Sequence, residues 1–161
     1  MDYFQGVVTE FLRAKRSRFI NTEYMINLDS DGTYQKDRHW YCDVVAVDFG
    51  DSTVQLCEIT YSKSLHAVCK RLQFWCNHWS DVVRALRRDS ELRGEWQIVP
   101  RIFIPKDLEA TLRQRVAALK WPDECDLHMP APIVTLLEDV LPWKYRSWNG
   151  EPFIAPIDSQ S

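Results

Sequence analysis

The spacing of apolar residues changes period several times along the chain, and each change marks an element. Residues 3–17 place Phe4, Val7, Val8, Phe11 and Leu12 at helical intervals, with Asp2 ahead of them as N-cap. Over 19–28 the period drops to two, with Ile20, Tyr24, Ile26 and Leu28 on one side, so a strand is expected. Asp29-Ser-Asp-Gly32 opens a polar loop. Two further strands, 40–49 and 53–60, flank the turn Gly50-Asp51-Ser52 as a hairpin. Leu65, Val68, Cys69, Leu72, Trp75, Cys76, Trp79, Val82, Val83 and Leu86 then predict one long helix over 64–88, capped by Ser62 or Ser64 and stopped by Gly94. WQIVPRIFI, 96–104, reads as a fourth strand, in which Pro100 asks for an edge position or a bulge. Pro105 opens a helix over 106–119. Six of the eight prolines fall between 122 and 156, where a short helix over 132–141 is the one regular element expected.

This order predicts an α/β core with a mixed four-stranded sheet flanked by helices. A core domain is expected over 1–120 and a C-terminal extension, rich in proline and aromatics, over 121–161, packed on the core or on a partner. Trp75, Trp79 and Trp96 fit core positions. Trp143, Tyr145 and Trp148, interleaved with Lys144 and Arg146, are candidates for stacking on bases or clamping a partner.

Composition narrows the classes. With 161 residues, 45% hydrophobic and 12% aromatic, the chain can bury a core of its own. No apolar run approaches membrane-spanning length, and the N-terminal order of charge and apolar residues is wrong for a secretory signal. Five cysteines, an odd count without C-x-x-C, read as reduced thiols of a cytoplasmic protein. Net charge is −3, which excludes a chain coated for nucleic acid. Charge is uneven, however: residues 62–94 carry seven Lys/Arg against three acids, enough for a local basic face at Lys63, Lys70, Arg71, Arg84, Arg87 and Arg88.

The candidate chemistry lies in Trp40–Lys63. Each strand of the expected hairpin carries an acid that does not suit a strand core, Asp43 in the first and Glu58 in the second. Paired carboxylates repel and lose hydration when buried, so they call for a cation between them, often a divalent metal. Glu58 and Thr60 share a face, and Asp43 can oppose them. Such a pair would take Mg²⁺ or Mn²⁺, and a nearby lysine would hold a water and shield phosphate charge. Asp43 has a plainer alternative: capping the hairpin or pairing with an arginine. Asp48 and Asp51 read as turn and strand-end acids.

On these residues, over about 3–104, the chain resembles the PD-(D/E)xK nucleases of restriction-endonuclease-like fold, whose core runs αβββαβ. Asp43 matches the family's first acid and Glu58 its second, with fourteen residues between them and Cys42 in place of the motif proline. The resemblance implies a metal site of Asp43 and Glu58, helped by Glu10 of the first helix, and a supporting Gln73 on the long helix. It implies hydrolysis of nucleic acid phosphodiesters, DNA first and RNA second, by a possible homodimer. Thr60 departs from it by standing where the family has lysine, and Lys63 or Lys70 would have to supply the charge. The resemblance therefore carries two expectations: a metal-dependent nuclease, or a catalytically inactive member that binds nucleic acid or a protein partner. If both lysines point away and Glu58 pairs with an arginine, the second is favoured. A scaffold of unrelated fold, assembled through the aromatic tail, is a third.

Overall fold

The computed structural model describes residues 2–29, 38–92, 95–124 and 126–145. It is an α/β architecture: helix α1 (Tyr3–Arg13), strands β1 (Arg18–Asn27), β2 (His39–Asp48) and β3 (Thr53–Ile59), helices α2 (His66–Asn77) and α3 (Trp79–Ser90), strand β4 (Gln97–Ile104), helix α4 (Glu109–Ala117) and strand β5 (Ile133–Leu136). The sheet is mixed, in the order β1-β2-β3-β4-β5, antiparallel across β1-β2-β3 and parallel across β3-β4-β5.

Each end of α1 has a chemical cause. Asp2 accepts from the Gln5 amide while the Gln5 side chain reaches back to the Asp2 amide, closing a capping box. Val8 and Leu12 then press against Val44, Ala46, Cys57 and Phe103 on one face of the sheet, joined by Leu137 and Val140. The other face is larger. Leu72, Trp75, Val82 and Leu86 from α2 and α3, with Leu112 from α4, pack on Leu56, Ile98, Ile102 and Ile104. The β2–β3 turn is tied back by Asp48, which accepts from Ser17, Arg18 and the Gly50 amide. A Cβ on Gly50 would meet the Ser17 hydroxyl at 2.9 Å, so the approach needs glycine.

Four expectations are corrected. The sheet has five strands rather than four, because Ile133–Leu136 is a strand and not part of a helix over 132–141. Ile133, Leu136, Leu137 and Val140 do follow helical spacing, but hydrogen bonding along the free side of β4 takes the segment first; only Leu137–Asp139 coils, as a 3₁₀ turn. The single long helix is two, divided at His78, whose φ of −123° and ψ of 24° leave the helical region; α2 starts at Leu65 in the left-handed region without a side-chain cap, although the Ser64 hydroxyl accepts from the His66 amide. The helix over 106–119 is a 3₁₀ turn at Lys106–Leu108 followed by α4. Finally, Ile20 belongs to the α1 face, while Tyr24, Ile26 and Leu28 face α2 and α3.

That last change has a definite location. The β1–β2 ladder passes from Thr22↔Val44 to Tyr24↔Cys42 and skips Glu23 and Asp43; Glu23 has φ +54°. The β2–β3 ladder ends at Val44↔Cys57, so Asp43 and Glu58, next in line, do not pair. Alternation slips here. Cys42 before Asp43 and Val45 and Val47 after it all face the α2–α3 side. Pro100, in turn, lies just before β5 begins to pair at Arg101↔Ile133, where a missing N–H costs no ladder bond on that side.

Trp75 and Trp79 are buried as expected, and Tyr145 packs edge-on against Phe11 while Trp143 is exposed. Gly94, Cys125, Arg146 and Trp148 lie outside the described residues. No helix among the described residues is long and apolar enough to cross a membrane.

Candidate functional site

Where β2 and β3 part, the Asp43 carboxylate takes the place of the missing ladder bond: its Oδ2 accepts from the Ile59 amide at 2.8 Å. Its Oδ1 accepts from Gln5 Nε2 at 3.4 Å, so the N-terminal turn of α1 closes one side of the site. Glu58 stays in register with Ile102 of β4 and points toward α2. There Arg71 Nη1 donates to Glu58 Oε2 at 2.5 Å and stands 4.0 Å from Asp43 Oδ1. The guanidinium lies over the Trp40 ring at 5.6 Å, and Trp40 stacks on Phe74 of α2. One cation therefore serves two acids and is held from beneath by an aromatic face.

The electrostatics follow from burial. Glu58 is only 5% exposed, and its Oε1 has no hydrogen-bond partner; nor does Arg71 Nε. Burial first, then the negative charge of Asp43, pushes the Glu58 carboxyl up to about 8, against the pull of Arg71. Burial also raises Asp43, opposed by the Ile59 amide and Arg71. Two carboxylates and one guanidinium carry one negative charge too many for so enclosed a place, and a proton kept on Glu58 removes it.

The other anticipated residues are placed elsewhere. Glu10 is on the surface in an ion pair with Arg13; the α1 residue that reaches Asp43 is Gln5. Gln73 is bonded through both ends of its amide to the Lys120 backbone, and so anchors the end of α4. The Thr60 hydroxyl accepts from the Ser62 amide, a local turn bond. Lys63 and Lys70 are exposed, and neither bonds Asp43 or Glu58. Of the basic face, Arg84 pairs with Asp81; Arg88 pairs with Asp89 and donates to the Asn27 and Asp29 carbonyls; Arg87 stays exposed on α3. Arg71, expected among the phosphate-tracking residues, instead turns inward.

The chain matches no protein-family model and no curated protein.

Sequence reasoning did not assign Gln5 or Trp40 to the site, nor Arg71 to the acid pair. A signal existed for Arg71: it precedes Leu72, on the flank of the apolar stripe that presses α2 onto β3, where a long cation is positioned to reach an inward acid. A divalent ion fits the donor set poorly as arranged. The orphaned Glu58 Oε1 is a suitable ligand atom, but the Arg71 guanidinium already stands against both carboxylates, and among the described residues no three His, Cys, Asp or Glu side chains gather.

Proposed function

We propose that the protein is a nucleic-acid-binding module of nuclease-like topology that does not cut. The observation that carries this reading is Arg71, which stands between the acids where a cleaving relative would need a metal. The site's mouth suits binding. Tyr61, 52% exposed, packs on Phe4, and Tyr3, 74% exposed, meets Phe4 edge-on, beside the Gln5 that bonds Asp43. Exposed tyrosines of this kind can stack on unpaired bases, and Lys63 stands two residues beyond Tyr61. Single-stranded DNA or RNA is the partner class these groups favour over a duplex, since stacking needs an open base.

A second reading has one observation of its own. The unpartnered Glu58 Oε1 lacks a ligand, and Mg²⁺ or Mn²⁺ held by Asp43 and Glu58 would supply an activated water for phosphodiester hydrolysis once Arg71 moved aside.

Calorimetric titration of Mn²⁺ into the wild type, Arg71→Ala and Asp43→Ala separates the two. The binding reading expects no Mn²⁺ uptake by the wild type and a gain in Arg71→Ala. Uptake by the wild type that Asp43→Ala abolishes, together with Mn²⁺-dependent cleavage of an oligonucleotide, would establish the nuclease instead.

A further inference from the structure

We propose that Arg101 and Gln55 form a binding site for a phosphate group on the α1 face of the sheet, on the side opposite Glu58. This inference does not depend on the reading of the acid pair.

Arg101 is a partly buried cation without an anion among the described residues. It lies in β4 beside Cys57, and its guanidinium is 5.6 Å from the Phe11 ring and 5.0 Å from the Phe103 ring. Its Nε donates to Thr135 Oγ1 at 3.0 Å and its Nη1 to Gln55 Oε1 at 3.0 Å, both neutral acceptors. No described carboxylate pairs with it. Burial disfavours its charge, the neighbouring Cys57 thiol opposes that, and Arg18, itself held by Asp48, adds repulsion. Other partly buried arginines are treated differently: Arg18 has Asp48 and Arg71 has Glu58. Leaving a guanidinium among aromatic rings with no counter-charge is costly, and an anion from outside would remove the cost.

The donors specify which anion. Of the guanidinium's five N–H groups two are used, so three remain, and the Gln55 amide adds two more beside them. Gln55 is only 5% exposed, yet among the described residues its amide nitrogen has no partner and is not among the fully buried unpartnered atoms; the same holds for Arg101 Nη2. Several unused donors around a fixed, planar fork suit a tetrahedral oxyanion better than a carboxylate with two oxygens. Burial already lowers the guanidinium's hold on its proton, and a bound phosphate would restore it.

The test titrates inorganic phosphate into the full chain by calorimetry and follows thermal unfolding in phosphate against chloride at matched ionic strength. Wild type should bind one phosphate per chain and gain in Tm to saturation. Gln55→Glu places a carboxylate on Arg101 from within; it should fold at least as stably as wild type in chloride and lose phosphate binding at least about tenfold. Arg101→Met should lose the phosphate response as well. Absence of saturable binding by wild type, or equal binding by Gln55→Glu, would overturn the proposal. Competition by a short oligonucleotide without terminal phosphate would identify the ligand as a phosphodiester; competition by free phosphate and a phosphomonoester alone would identify a small molecule.

Discussion

Glu58 is the residue on which the most measurable consequence rests. Its carboxyl is raised from 4.5 to about 8 by burial and by Asp43, so the folded chain holds this proton more tightly than the unfolded one. The contribution to stability is therefore full below about pH 4.5, and it is lost as pH rises through about 8. Glu58→Gln fixes the neutral form. Above pH 8 the variant should be more stable than wild type by on the order of 1–3 kcal/mol, and at pH 4 the two should converge; urea unfolding across that range checks it. Asp48 behaves in the opposite sense. Burial alone would raise it, but hydrogen bonds from Lys15, Arg18 and Ser17 outweigh burial and hold it well below the usual carboxylate range. Its contribution is present at neutral pH and is lost only in acid, so the two carboxylates titrate stability in separate windows. At this scale the sequence was partly legible. Two acids out of place in strands announced a charged cluster, and Asp48 read correctly as a turn acid. Which cation would join them was not legible, because the reach of Arg71 depends on how α2 lies across β3 rather than on anything local to residue 71.

Among the elements, the parting of β2 from β3 decides the site. Asp43 serves as a substitute for backbone there, and Asp43→Ala leaves the Ile59 N–H unpaired in a part-buried place. The expected loss is about 1–3 kcal/mol in urea unfolding; Asp43→Asn, which keeps an acceptor oxygen, should lose less. A loss of equal size in both variants would mean that charge rather than the Ile59 bond is what matters. The hairpin, α1 and the succession from β3 through a helical crossover to β4 could all be read from periodicity. The slip at Glu23 and Asp43 could not, since residues on both sides of it keep a good alternating pattern and only the partner strand reveals that the faces exchange. β5 escaped for a related reason. Four residues are too few to show a period, and their spacing fits a helix equally well.

For the whole molecule, a net charge of −3 sets the scale of any contact with nucleic acid. Arg84, Arg88 and Arg71 are already paired, which leaves Lys63, Lys70 and Arg87 as the cations of the basic face without an ion pair among the described residues. Binding of a single-stranded oligonucleotide should therefore weaken only modestly with salt, with a slope of about −1 to −2 in log K against log salt concentration. Fluorescence anisotropy between low and moderate salt measures it, and Tyr61→Ala should weaken binding by about 1–3 kcal/mol without changing that slope.

The kink at Glu23 has a consequence beyond the site. Among the described residues β1 is an outer strand of the sheet, ten residues long, with Phe19 66% exposed on it. A straight exposed strand of that length is a template on which a neighbouring chain can pair. Here the row of outward backbone groups turns halfway along, because Glu23 is left-handed and the faces exchange around it. An incoming strand can match one half or the other but not both. The distortion that frees Asp43 from its ladder also interrupts the edge that a neighbouring chain would have to pair with.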